Sequence, residues 1–279
     1  MTIERVTIFG LGLIGGSFAL SLRHKLPGVV VTGVDRAPVL EKPAAARAAQ
    51  ELVSSDDRDA VIRALSNCDL AVLALPVRVI QAELPFVLDH AAVVTDCGST
   101  KRAICARVAE HPRRGRFVAA HPMAGAPEGG IEQACADLFE GKRWLVCPDG
   151  SDRDAVERVE SSIAAVGAHT ISLSAAEHDR AVARTSHLTQ LLASALLMVG
   201  HGANAEFVAG PSFASATRVA GGPEAMWQDI FATNADEIAA ALAELVSELA
   251  PVQRELAQSP AVLEAARDLL RRARLELGR

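Results

Sequence analysis

From residue 5 to about 173, short apolar runs alternate with stretches whose apolar residues recur at helical spacing. Runs at 6–9, 29–34, 70–76, 92–99, 116–125, 143–148 and 169–173 predict strands. LAVLALP at 70–76 is apolar without a break, as a strand covered on both faces should be. Between the runs the pattern predicts helices at 18–22, near 43–52, and at 57–66, 79–88, 101–109 and 152–165. Strands alternating with helices of this length imply an α/β fold with a doubly wound, mostly parallel sheet. At about residue 174 the pattern changes. From there to 279 no run reads as a strand, and a long helical segment at 175–201, a broken stretch, and helices at 234–258 and 260–277 predict an all-helical unit. Residues 188–199 are apolar almost all round, which predicts burial against a partner subunit or within the chain's own bundle.

The first predicted strand runs straight into three glycines, Gly10, Gly12 and Gly15, in RVTIFGLGLIGGS. After a strand and before a helix, such glycines permit a tight turn, close approach to a pyrophosphate, and close packing of helix on strand. The helix N-terminus then offers unpaired N–H groups to the anion. The second strand ends in Asp35, at the distance expected of an acid that accepts the adenosine ribose hydroxyls. The first unit, 1–173, is therefore expected to be a Rossmann-type dinucleotide-binding domain, followed by a helical domain at 174–279. Gly10, Gly12, Leu13, Ile14, Gly15, Asp35 and Arg36 are its candidate cofactor residues. Asp35 favours NAD by repelling the extra phosphate of NADP, although Arg36 beside it could stack on adenine or tolerate that phosphate.

With 279 residues, half of them hydrophobic, the chain can bury a sizeable core. The net charge of -6 and the absence of any long Lys/Arg run point away from nucleic acid and from an anionic membrane, and no segment reads as a signal peptide or a bilayer span. Five cysteines, without paired or zinc-like spacing, suit a reducing cytosol and predict small buried side chains with no metal site. The expected location is cytoplasmic.

In a doubly wound sheet ligands bind beyond the C-terminal strand ends. One strand stops in DCGSTK, 96–101, where Ser99 or Thr100 could cap the next helix or face the cleft. The next stops in HPMAG, 121–125. A neutral His121 there could accept a hydroxyl proton as hydride leaves, or could be a structural histidine fixed by the following proline. His187 opens the most apolar part of the long helix, where a histidine needs a partner or a cleft. Arg218 follows a broken loop and could hold a carboxylate in a bidentate fork, or form a surface ion pair.

Taken together, GLGLIGGS with Asp35, DCGSTK, HPMAG, the EHD and TSHL segment at 177–188, and ATRVAGGPEAMWQDIFATN at 216–234 resemble the prephenate and arogenate dehydrogenase family of tyrosine biosynthesis. The resemblance spans nearly the whole chain. It implies a Rossmann domain followed by a helical domain that builds a homodimer, and oxidative decarboxylation of a small-molecule substrate, prephenate or arogenate, with NAD(P). It further implies that His121 is the catalytic histidine that accepts the ring hydroxyl proton and that Ser99 hydrogen-bonds the same hydroxyl and the histidine. By the same resemblance, Arg218 pairs with a substrate carboxylate and His187 binds substrate.

The chain departs from some relatives at Thr189 and Gln190, where they read Pro-His, and at Ala126 and Pro127, where they carry Thr-Glu. Both places bear on the choice between the keto side chain of prephenate and the amino one of arogenate, which stays open. A 3-hydroxyacid-type dehydrogenase would use a helix-borne lysine in its second domain, and no lysine follows Lys142. A non-catalytic, dinucleotide-sensing dimer is the other alternative.

Overall fold

The computed structural model describes residues 3–125, 128–201, 205–258 and 263–278. Ala126, Pro127 and the expected helix start at Pro260 lie outside them. Among the described residues β1 (Arg5–Phe9), β2 (Val30–Asp35), β3 (Glu51–Ser54), β4 (Leu70–Leu73), β5 (Val94–Asp96), β6 (Phe117–Pro122), β7 (Arg143–Cys147) and β8 (His169–Ser172) form one sheet, ordered β3-β2-β1-β4-β5-β6-β7-β8. Pairing is parallel from β3 through β6, antiparallel between β6 and β7, and parallel again between β7 and β8. The strand order reverses between β1 and β4, so the crevice for a ligand opens above their C-terminal ends.

Apart from a single turn at Ala37–Leu40, the α-helices of this part are α1 (Leu13–Lys25), α2 (Pro43–Ala48), α3 (Arg58–Ser66), α4 (Val77–His90), α5 (Arg102–Arg107) and α6 (Arg153–Ala165). They cover both faces of the sheet, and alternate residues of one strand feed two separate cores. Leu70 and Val72 of β4 join Phe18 and Leu22 of α1 and Ile163 of α6, while Ala71 and Leu73 join Leu65 of α3 and Leu84 of α4. Burial on both sides explains why β4 is written as one continuous apolar run.

Strand β3 departs from expectation, because it falls within and just beyond the segment read as helix near 43–52. It pairs only with β2 and its burial is slight, so as an edge strand it carries no alternating apolar signature. Of the two roles open to Ser99 and Thr100, neither residue takes the cap: Lys101 occupies the N-cap of α5, and Thr100 Oγ1 meets Thr233 Oγ1 at 2.9 Å. All five cysteines are free; Cys68 and Cys147 are buried as expected, but Cys135 is exposed.

The glycine turn is as tight as its spacing implies. Gly10 has φ +91°, and a Cβ on Gly15 would lie 2.0 Å from the Gly10 carbonyl oxygen and 3.0 Å from Ala74 Cβ. Backbone cannot yield there, whereas a Cβ on Gly12 meets nothing within 4 Å. Gly15→Ala is therefore expected to cost about 1–3 kcal/mol in chemical denaturation, with Gly12→Ala nearly neutral; equal stability of the two variants would contradict this packing.

After β8 the chain is helical. α7 (Ala175–Val182), a π-helical turn (Ala183–His187) and α8 (Leu188–Gly200) form one run, followed by α9 (Pro211–Thr217), α10 (Glu224–Thr233), α11 (Ala235–Gln258) and α12 (Glu264–Glu276). Among the described residues no helix is long and apolar enough to cross a membrane. The outward side of α8 is bare: Met198 and Val199 are 69% and 79% exposed. Leu242, Val246 and Leu249 of α11 are exposed as well.

Candidate active site

Two adjoining hollows open at the C-terminal strand ends. The first, about 800 Å³, is lined by Gly10, Leu11 and Gly12 of the turn and by Asp35 and Arg36. Asp35 ends β2, where Oδ2 accepts the Leu11 N–H at 2.7 Å and Oδ1 accepts the Arg36 N–H at 2.7 Å. A carboxylate offers about four acceptor positions, so lone pairs remain for a ribose. α1 begins at Gly12 with no side-chain cap and no acidic residue in its first turn, so its N–H groups are free to meet an anion. The open space over Gly12 is where a pyrophosphate would pass. The residues present therefore fit a dinucleotide.

The second hollow, about 510 Å³, shares Gly12 and Ala74 with the first and holds Leu13, Ile14, Ser99, His121, Ser186, His187 and Trp227 in its wall. Three of the four residues expected to handle substrate thus converge on one cavity. Arg218 does not: it caps the C-terminus of α9, is exposed, and is not part of the wall. Among the described residues, no lysine or arginine lines this cavity and no acid/histidine/cysteine cluster could hold a metal.

His121 sits next to last in β6 and is only part-buried, open to the cavity. Its Nδ1 lies 3.0 Å from His178 Nε2, and His178 Nδ1 lies 2.8 Å from Asp179 Oδ1. The resemblance implied a bond from Ser99 to this histidine, but the hydrogen-bond partner observed is His178. Burial, reinforced by the neighbouring His178, Lys101 and His187, holds the His121 imidazole well below its usual 6.5, so it is neutral and able to take a proton. His178 is lowered by burial too, an effect only partly offset by its bond to Asp179. Burial alone would raise Asp179, but hydrogen bonds from His178 and from the backbone of Arg102 and Lys101 outweigh it and hold the carboxyl below 3.8.

His187 closes the π-helical turn and is 1% exposed. Such turns shift the phase of the helix that follows and recur at functional sites. Burial pushes this imidazole down to about 4. Its tautomer follows from Asn234, whose amide oxygen accepts from Arg102 at 3.0 Å and whose amide nitrogen must therefore face Asp179 O at 2.8 Å and His187 Nδ1 at 3.3 Å. With Nδ1 accepting, neutral His187 carries its proton on Nε2 and is a donor.

Beneath the site lies a buried ion pair. Lys101 Nζ bonds Asp96 Oδ2 and, at 2.7 Å, the Ala120 carbonyl, while Asp96 also accepts the Gly98 and Ala120 N–H groups at 2.8 and 3.0 Å. Both side chains are fully buried, and the clamp fixes the residue before His121. Arg102 joins the sheet domain to the helical one, reaching Asp179, Asn234 and Asp236. His178, Asp179, Asn234 and the Asp96–Lys101 pair were not singled out as site residues from sequence. The only signal was polar residues inside the EHD and DCGSTK motifs and at the end of the 216–234 run, with nothing to show which way they face.

Two family models match the chain in sequence: the prephenate dehydrogenase nucleotide-binding domain over residues 18–172 and the prephenate dehydrogenase dimerization domain over 174–270. The prephenate dehydrogenase of Bacillus subtilis is 31% identical over 271 residues, 92% of this chain and 71% of that protein. A cyclohexadienyl dehydrogenase of Zymomonas mobilis is 29% identical, covering 92% and 90%. Among solved structures, the prephenate dehydrogenase of Aquifex aeolicus in complex with hydroxyphenyl propionate and NAD+ superposes with a TM-score of 0.83 at 25% identity, covering 99% of each chain. With the glycine turn, the cavity and these matches in agreement, the chain belongs to the prephenate dehydrogenase family.

Proposed function

We propose that this chain oxidises the ring alcohol of prephenate, or of its amino counterpart arogenate, with hydride transfer to NAD and loss of the ring carboxylate as carbon dioxide, in tyrosine biosynthesis. The observation that carries the reading is convergence: Ser99, His121 and His187 line one cavity whose wall continues into the glycine turn at Gly12. NAD, when bound along that turn and Asp35, supplies the hydride acceptor. His121 Nε2 takes the ring hydroxyl proton, and the Ser99 hydroxyl hydrogen-bonds the same oxygen and orients it. His187, through Nε2–H, donates to an oxygen of the substrate. Such base catalysis typically contributes about a hundred- to ten-thousandfold, and aromatisation of the ring supplies the thermodynamic pull. Arg218, at the exposed end of α9 and outside the cavity wall, is the arginine that the resemblance pairs with a substrate carboxylate.

The chain works as a cytoplasmic homodimer. The bare apolar side of α8 and α11, with Val199 79% and Val246 57% exposed, is the surface that a second copy would cover.

The test is NADH production by the purified full chain from prephenate and from arogenate in parallel, with NAD and NADP compared. Turnover of at least one substrate with preference for NAD is expected; no turnover of either overturns the reading.

A further inference from the structure

Behind His121 two fully buried polar residues, His178 and Asp179, have no place in the chemistry just described. They belong to α7, in the helical domain, yet they end against a strand of the nucleotide-binding sheet. Their environment is closed: Asp179 Oδ1 accepts the Lys101 N–H at 2.7 Å, Oδ2 accepts the Arg102 N–H at 2.9 Å, and His178 Nδ1 lies 2.8 Å from Oδ1. A carboxylate surrounded by donors leaves His178 Nδ1 one role, that of donor. Neutral His178 then has a bare lone pair on Nε2, and the atom it meets at 3.0 Å, His121 Nδ1, must carry the hydrogen between them.

We propose that His178 and Asp179 are positioning residues that fix His121 in the tautomer with Nδ1 protonated and Nε2 free toward the cavity, the form that can act as base. The inference rests on His121 being that base. As the hydroxyl proton moves to His121 Nε2, the ring keeps its Nδ1–H and becomes an imidazolium bonded to neutral His178, with the Asp179 carboxylate one ring further back. No proton has to leave the chain of three groups during hydride transfer. Lys101, Asp96 and His187 also face this cluster. Lys101 and Asp96 neutralise each other, while Asp179 ion-pairs with the part-exposed Arg102 on one oxygen and bonds His178 on the other. In Ser–His–Asp hydrolases, whose buried aspartate holds a histidine tautomer in the same way, loss of that control costs about ten-thousandfold in turnover.

Ring-nitrogen NMR of the histidine-labelled full chain tests this without substrate. His121, assigned by its absence in His121→Asn, is expected to show a protonated Nδ1 and an unprotonated Nε2; the opposite tautomer overturns the proposal. His178→Phe is expected to mix the tautomers and lower kcat by about a hundredfold or more, with KM and NAD affinity little changed. His178→Gln, whose amide oxygen can still accept from Nδ1, is expected to recover turnover to within about tenfold of wild type. Unchanged kcat in His178→Phe, or a Gln variant as poor as Phe, overturns it. The tautomer can be read even if neither prephenate nor arogenate is oxidised, so failure of the proposed function and failure of the relay are separate results.

Discussion

His121→Asn is expected to lose about a hundred- to ten-thousandfold in turnover while binding NAD as the parent does. Asparagine can keep a donor where Nδ1–H meets His178, so the end of β6 retains its local contact, but it presents no basic nitrogen to the cavity. The cofactor turn lies on other strands and should not sense the change. Steady-state kinetics beside NAD titration separates the two effects, and a variant with undiminished turnover would remove His121 from the mechanism. The parent enzyme has a matching signature in pH. Because burial, with His178, Lys101 and His187 nearby, holds the imidazole well below 6.5, its active neutral form persists as pH falls through the usual histidine range. The acid limb of kcat/KM is expected below pH 6.5, and a limb at or above that value would contradict the environment described.

Lys101→Met is expected to be the most destabilising single change at the site. It leaves the Asp96 carboxylate fully buried with two N–H groups but no cation. Removing one partner of a buried pair typically costs about 3–5 kcal/mol, far more than an exposed pair such as Arg153–Glu157 contributes. The Ala120 carbonyl loses its Nζ donor at the same time, so the residue leading into His121 is loosened. Denaturant unfolding measures the cost. Pairing the change with Asp96→Asn should recover part of it, because the uncompensated charge is then gone. A loss below about 1 kcal/mol would show that the pair is not buried in solution.

What could be read from sequence divides along periodicity. Strands covered on both faces, such as β4, and long amphipathic helices write their burial into spacing, and the glycine turn announces itself because each glycine answers a steric demand. Edge strand β3 is short, little buried and without alternation, so nothing in Glu51 to Ser54 separates it from the helix before it. The π-helical turn is invisible for another reason: Ala183 to His187 has ordinary helical composition, and the extra residue per turn is set by packing. At the site, Ser99, His121 and His187 were legible because they end strands or interrupt an apolar face. Arg218 was legible only as an arginine after a loop, and its exposed position shows how little that context fixes. Within the EHD motif the first residue and the next two have different duties. Glu177 makes a capping box with Ser174, while His178 and Asp179 turn inward. Helical phase assigns those duties only once the partner surface is known.

The contact between His121 and His178 also bears on how enzymes of this layout can be recombined. The two matched family models meet between residues 172 and 174, so that junction is the natural place to cut when building chimaeras. A cut there would take His121 from one parent and the histidine it contacts, His178, from the other. Moving the crossover past His187 carries α7 and the π-helical turn with the sheet they pack against, and keeps His121, His178 and Asp179 in a single inherited piece.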